Sequence, residues 1–271
     1  MVSSISAKQL HWDELVVETR AVSFKLFVAG SGSKPVLYLH GEAASAPDEV
    51  AAGLAADHRL VCPVHPGFAD APRPDWVENV RDVADLYADL VKEMLDPDPF
   101  TIVGVSLGGW IAAELALLFP ERTSRLVLVG AAGLSVPDAS PADHWFATEE
   151  ERRRILFADP ALTPRVTPEE YIANDETTAR YAWNPRFADP TLAYRLRRLT
   201  MPALVIWGAE DRLLSTAHGE AWQKRLSIAR LEIIAGAGHF PNYERTSQTL
   251  GVIRSFLGEA EQTRRGRDKA L

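Results

Sequence analysis

Ser106 stands in the string Gly104-Val105-Ser106-Leu107-Gly108-Gly109, between an apolar run at 100–105 and a second that opens at Trp110. A serine on so tight a strand-to-helix turn projects its Oγ above the sheet edge, at the positive end of a helix, and the flanking glycines leave room for it. The chemistry available there is nucleophilic attack on a carbonyl carbon. A serine hydroxyl near neutral pH needs a base for that step. Of the seven histidines, His239 is the candidate, because Ala235-Gly236-Ala237-Gly238-His239-Phe240 follows the last strand-like run and its glycines let the loop reach back over the sheet. The base in turn needs a carboxylate to fix its tautomer. Asp211, in Trp207-Gly208-Ala209-Glu210-Asp211, is the first choice, and its neighbour Glu210 is the rival.

The developing negative charge needs backbone N–H groups aimed at it. Leu107 supplies one by its position after the serine. The turn His40-Gly41-Glu42-Ala43 supplies the other, with Glu42 the first choice, whether or not its side chain is a solvated loop carboxylate. His40, before a glycine at a strand end, is read as structural. His11, His58, His65, His144 and His218 have no comparable setting.

These residues must be held by a sheet. Apolar runs of strand length recur at 15–17, 22–28, 36–39, 60–64, 100–105, 126–129, 203–207 and 231–234. From the third onward most are Val, Ile and Leu with polar residues only at their edges, the pattern of strands buried on both faces of a parallel sheet. The first two are close together and predict an antiparallel entry. Helical patterns lie at 47–56, 77–95, 110–119, 216–226 and 243–257. The second is amphipathic over five turns and stops at Asp96-Pro97-Asp98-Pro99. Alternating strands and helices imply right-handed crossovers and an α/β fold with helices on both faces. The segment 134–199 breaks the rhythm. It has no strand-like run and is rich in aromatic residues, prolines and arginines. It is read as a helical insertion above the sheet, dividing a core of residues 1–133 and 200–271. Trp145, Tyr181 and Trp183 within it, with Phe240, are the candidate pocket residues. A charged tail from about 258 is expected to fray.

Bulk properties bound the rest. The 271 residues carry 37 acidic and 29 basic side chains, a net charge of −8, which argues against a general nucleic-acid or anionic-membrane binder. The single cysteine, Cys62, cannot form an internal disulfide and reads as a buried strand residue. The first fifteen residues do not read as a secretory signal, and no apolar run approaches spanning length. A cytoplasmic chain acting on a small molecule is the expectation. No metal-spaced cluster or phosphate loop is seen, so no cofactor or metal is implied.

The stretch from about Leu15 to Leu257 resembles the α/β-hydrolase superfamily. The resemblance rests on Leu39-His40-Gly41, Pro66-Gly67-Phe68, Gly104-Val105-Ser106-Leu107-Gly108-Gly109, Phe119-Pro120-Glu121-Arg122, Trp207-Gly208-Ala209-Glu210-Asp211 and Gly238-His239. It implies an eight-stranded, mostly parallel sheet, a helical cap between the sixth and seventh strands, and a Ser106–His239–Asp211 triad for hydrolysis of a small, mainly apolar ester, lactone or thioester. The alternatives are carbon–carbon bond hydrolysis on the same triad, or a ligand-binding protein with little turnover. His65 and Ala69 flank Pro66-Gly67-Phe68, where the family usually has an acidic residue before and a glycine after. Enzymes resembling the meta-cleavage carbon–carbon hydrolases usually carry asparagine before the serine and tryptophan after the histidine. Here those places hold Val105 and Phe240.

Overall fold

The computed structural model describes residues 10–32, 34–95 and 97–268, with side chains described to 259. Eight strands form one sheet: β1 (Asp13–Glu18), β2 (Ser23–Ala29), β3 (Val36–Leu39), β4 (Leu60–Pro63), β5 (Phe100–Val105), β6 (Thr123–Val129), β7 (Ala203–Gly208) and β8 (Ala229–Ile234). Their order across the sheet is β1-β2-β4-β3-β5-β6-β7-β8. β1 and β2 pair antiparallel, β2 meets β4 antiparallel, and every later pairing is parallel. The chain therefore starts at the β1 edge, passes over the β4 place to β3, steps back to β4, then crosses β3 and winds the other way to β8. Crossovers that leave on opposite sides of β3 open a crevice at the carboxyl ends of the central strands, the place where open α/β sheets bind ligands.

Burial follows position in the sheet. Every residue of β3, β4, β5 and β7 is buried, whereas β1 at the edge is largely exposed. Cys62 is one of the buried β4 residues. The helices that cover the sheet are α1 (Glu49–Ala55), α2 (Val80–Leu95) and α3 (Leu107–Leu118), then, after the segment between β6 and β7, α7 (Thr216–Arg225), α8 (Pro241–Glu244) and α9 (Thr246–Asp268). α2 buries Val80, Val83, Ala84, Leu86, Tyr87, Leu90, Val91 and Leu95, one face at helical spacing. α3 is buried on all sides except at Leu118, in keeping with a composition that is apolar apart from Glu114.

The pattern at 243–257 forms two helices rather than one. α8 ends at Arg245, whose backbone (φ −135°, ψ 50°) is not helical. α9 then runs past the expected fraying point to Asp268.

Between β6 and β7 lie α4 (Glu149–Leu156), α5 (Pro168–Ala182) and α6 (Leu192–Arg195), with short 3-10 turns at Pro160–Leu162 and Leu196–Arg198. α4 starts on a reciprocal cap: the Thr148 hydroxyl accepts from the Glu151 N–H, and the Glu151 carboxylate accepts from the Thr148 N–H. Such a cap contributes about 1 kcal/mol. α5 starts on Thr167 with Pro168 in its first turn. The far end of the segment is tied to the core by Arg195. Its guanidinium pairs with the buried Glu114 of α3 (Nη2–Oε1 2.7 Å) and with Asp189 (2.5 Å). A buried pair of this kind fixes register more than it adds net stability. Among the described residues no helix is long and apolar enough to cross a membrane.

Candidate active site

Ser106 ends β5 and begins α3, and its backbone sits at φ 51°, ψ −115°. An L-residue there is strained. The turn that imposes the strain can close because two glycines permit close approach. A Cβ on Gly104 would meet the carbonyl of Gly108, and one on Gly108 would meet the carbonyls of Leu39 and His40. The Ser106 N–H donates to Val129 O at 2.8 Å, which anchors the turn to β6.

His239 Nε2 lies 2.7 Å from Ser106 Oγ, and its Nδ1 lies 2.8 Å from Asp211 Oδ2. The other carboxylate oxygen, Oδ1, accepts from the N–H groups of Leu213 and Leu214, both at 2.9 Å. Asp211 is thus held by backbone donors and faces the ring with its free oxygen. Glu210 points elsewhere, accepting from the Gly236 N–H at 3.1 Å on the exposed side. His239 is fully buried. Burial alone would lower its pKa, but the Asp211 charge and hydrogen bond, with smaller effects of Glu42 and Glu244, hold it above the ordinary 6.5. The histidine loop is fixed from outside the core: the His239 N–H donates to Leu156 O at 2.8 Å. The buried Glu244 accepts from both Gly238 N–H (2.6 Å) and Asp159 N–H (2.9 Å).

The N–H groups of Leu107 and Glu42 have no acceptor among the described residues. Gly41 presses against Ser106, since a Cβ there would stand 3.3 Å from the Ser106 Cβ and 2.9 Å from the Phe240 ring. The turn is braced from below by two histidines. His40 Nδ1 donates to Gly41 O (2.7 Å), and its Nε2 accepts from the His65 N–H (3.0 Å). His65 Nε2 donates to His40 O (2.8 Å), and its Nδ1 accepts from the Tyr87 hydroxyl (2.6 Å). Each ring uses one nitrogen as donor and one as acceptor, so each is neutral. Burial lowers the His40 pKa to about 4 and the His65 pKa also falls, first by burial and then by His40. His65 therefore has a structural role that the sequence does not signal.

A cavity of about 640 Å³ opens beside Glu42, with His144, Arg152, Leu156, Phe157 and Tyr171 among its walls. The four aromatics expected to line a pocket do not line it. Tyr181 is buried, with its hydroxyl donating to Pro66 O at 2.8 Å. Trp145 stacks on Phe187 with centroids 4.8 Å apart. Trp183 is 45% exposed and packs on Trp145 and Phe146. Phe240 is fully buried between Phe157 and Gly41. Large rings in a thin helical layer are consumed in fastening that layer to the core and to itself. The walls come instead from α4, α5 and the turn between them. Nor is Glu42 a solvated loop carboxylate, since its side chain is only 9% exposed.

A hydroxyl with a proton acceptor, an oriented ring behind it, two free N–H groups and an adjoining cavity can carry out acyl transfer. Among the described residues no group of three or more His, Cys, Asp or Glu is placed to hold a metal ion.

Comparison with known proteins bears on the family and the fold. Residues 26–250 match the family described as "Alpha/beta hydrolase family". A 2-hydroxymuconate semialdehyde hydrolase of Pseudomonas putida is 30% identical over 255 residues, covering 84% of this chain and 88% of that one. The 2-hydroxy-6-oxo-6-(2'-aminophenyl)hexa-2,4-dienoic acid hydrolase of Metapseudomonas resinovorans is 27% identical over 272 residues, with 90% of each chain covered. Among solved structures, an esterase from a Rhodococcus species superposes with a TM-score of 0.71 at 19% identity, covering 91% of this chain and 98% of that one. With the match spanning most of the chain and the sheet order and strand-turn-helix serine in place, the protein belongs to the α/β-hydrolase family and is a hydrolase.

Proposed function

We propose that the protein hydrolyses a small, mainly apolar carboxylic ester, lactone or thioester through an acyl-enzyme on Ser106. The observation that carries this reading is the unbroken line Asp211–His239–Ser106, with hydrogen bonds of 2.8 and 2.7 Å. Ser106 Oγ attacks the carbonyl carbon as its proton passes to His239 Nε2. Asp211 stabilises the imidazolium, and the N–H groups of Leu107 and Glu42 hold the oxyanion. The tetrahedral intermediate collapses, the bond to the leaving group breaks, and that group takes the proton from Nε2. Water then attacks the acyl carbon, giving its proton to Nε2. Ser106 Oγ departs and takes the proton back. In this reading the segment 134–199 is a cap that excludes water and shapes the acyl pocket.

Carbon–carbon hydrolysis is the second reading, favoured by the dienoate hydrolases among the relatives. It is favoured also by Arg152, on the cavity wall with Nε unpartnered, which could hold a substrate carboxylate. The test is a side-by-side assay of p-nitrophenyl esters of increasing acyl length and a 2-hydroxy-6-oxohexa-2,4-dienoate. The expected result is ester turnover at least about tenfold above that of the dienoate in kcat/KM, abolished in Ser106→Ala. The opposite ranking would establish the carbon–carbon reading.

A further inference from the structure

Glu42 presents a feature that acyl transfer itself does not require. Its carboxylate is on the cavity wall, its side chain is 9% exposed, and neither oxygen has a hydrogen-bond partner among the described residues. An ionised carboxylate in that condition is expensive unless something pairs with it. Its Oε1 lies 4.0 Å from His239 Nε2, which is itself 2.7 Å from Ser106 Oγ. Laid end to end, those distances keep the carboxylate within about 7 Å of the hydroxyl. A negative charge so close also opposes formation of the oxyanion beside it.

The other charges on the same wall, the exposed Arg165 apart, are paired or neutral. Arg152 pairs with Asp175 at 2.5 Å and lies over the Tyr171 ring, and Arg153 pairs with Glu149. Arg165 is exposed. His144 is kept neutral by burial and by Arg152, with a pKa lowered to about 3. Arg165 apart, the unmatched charge on this wall is the Glu42 carboxylate, so the potential at the Glu42 end of the cavity is negative.

We propose that the Glu42 carboxylate is a specificity-determining group that binds a protonated amine carried on the acyl part of the substrate, within a few bonds of the scissile carbonyl. The ammonium supplies the missing hydrogen-bond donors. It also cancels the charge that would otherwise oppose the oxyanion, so the contact strengthens in the transition state. An anionic substituent at the same place is repelled. This inference rests on the reading of Ser106 as the nucleophile of ester hydrolysis.

The test compares glycine p-nitrophenyl ester with propionic p-nitrophenyl ester, which have the same shape and differ in an ammonium against a methyl group. Assays at about pH 6 keep the amine protonated, since α-amino groups titrate near 7.7–8.0. After subtraction of spontaneous hydrolysis, the wild type is expected to favour the glycyl ester in kcat/KM by on the order of tenfold or more, the worth of a charge-assisted hydrogen bond. In Glu42→Gln, which keeps the shape, the ratio of the two esters is expected to fall towards one, whatever the absolute rates. A wild-type ratio near one overturns the proposal, and so does a preference that survives in Glu42→Gln with an unchanged melting temperature. If neither ester is turned over and a fluorophosphonate fails to label Ser106, the nucleophile reading fails and this proposal falls with it. Labelling without glycyl preference rejects the role of Glu42 alone.

Discussion

The side-chain amide of Asn174 donates from Nδ2 to the carbonyl of Glu42 at 3.3 Å, so a helix that lies between β6 and β7 in the chain holds a turn that begins at the end of β3. The same buried residue accepts through Oδ1 from the Ala69 N–H (3.0 Å) and the Ser45 hydroxyl (3.3 Å). Asn174→Ala would leave these groups unpaired and loosen the backbone that aims the Glu42 N–H. The expected outcome is a fall in kcat of roughly tenfold, with a smaller change in KM and a loss of about 1–3 kcal/mol in stability. Steady-state kinetics with denaturant melts check this. An unchanged kcat in a destabilised protein would confine Asn174 to a structural role.

Ser106→Ala is expected to lower turnover by roughly 10⁴ to 10⁶. Backbone strain adds a second, independent expectation. Because Ser106 sits at φ 51°, ψ −115°, glycine is relaxed where alanine is not. Ser106→Gly should melt above Ser106→Ala, though both are inactive. Calorimetry of the two variants decides this, and equal melting temperatures would mean that the elbow stores no strain.

Asp211→Asn is expected to lower kcat by roughly 10⁴ with the structure retained, because the amide favours the wrong histidine tautomer. Glu210→Gln should be mild, since among the described residues Glu210 bonds the Gly236 N–H alone, at an exposed site. The reverse ranking would transfer the orienting role to Glu210.

Two pH dependences follow from buried histidines of opposite character. His239 must be neutral to accept the serine proton, and its pKa is raised above 6.5 despite its burial, because Asp211 is beside it. The acid limb of kcat/KM should therefore lie above pH 6.5, and Asp211→Asn should move it down. His40 behaves in the opposite sense, because burial lowers its pKa from 6.5 to about 4. Between those values the unfolded chain binds a proton that the folded one refuses, so stability falls as pH drops through that window and is unaffected above it. The loss from His40 alone is about 3 kcal/mol by pH 4. Thermal melts from about pH 8 to pH 4 should show the decline beginning near pH 6.5. A melting temperature flat down to pH 4.5 would contradict the neutral pair at His40 and His65.

The sequence by itself determined the sheet, its mostly parallel character and the residues of the hydrogen-bonded line Asp211–His239–Ser106, for local reasons. A run such as Phe100–Val105 is apolar on both faces, so it can only be an interior strand. The Gly104 and Gly108 positions admit only a turn in which the backbone passes very close to itself. Ser106, Asp211 and His239 could be placed because each follows a strand-length run within a few residues.

What only the tertiary structure decided depends on contacts between segments far apart in the chain. Aromatic content in the segment 134–199 could not tell a ring facing a cavity from one that fastens a helix to the core. Tyr181 is the second kind, held to Pro66 across 115 positions. The structure turns Asp211 rather than Glu210 towards His239, which the adjacent positions in the sequence could not reveal. The burial of the Glu42 side chain, its missing partner and the support of its carbonyl by Asn174 arise where a turn after β3 meets a helix 132 positions later. No periodicity encodes that meeting, because residue types record only how much of a side chain is buried and leave unstated what it is buried against.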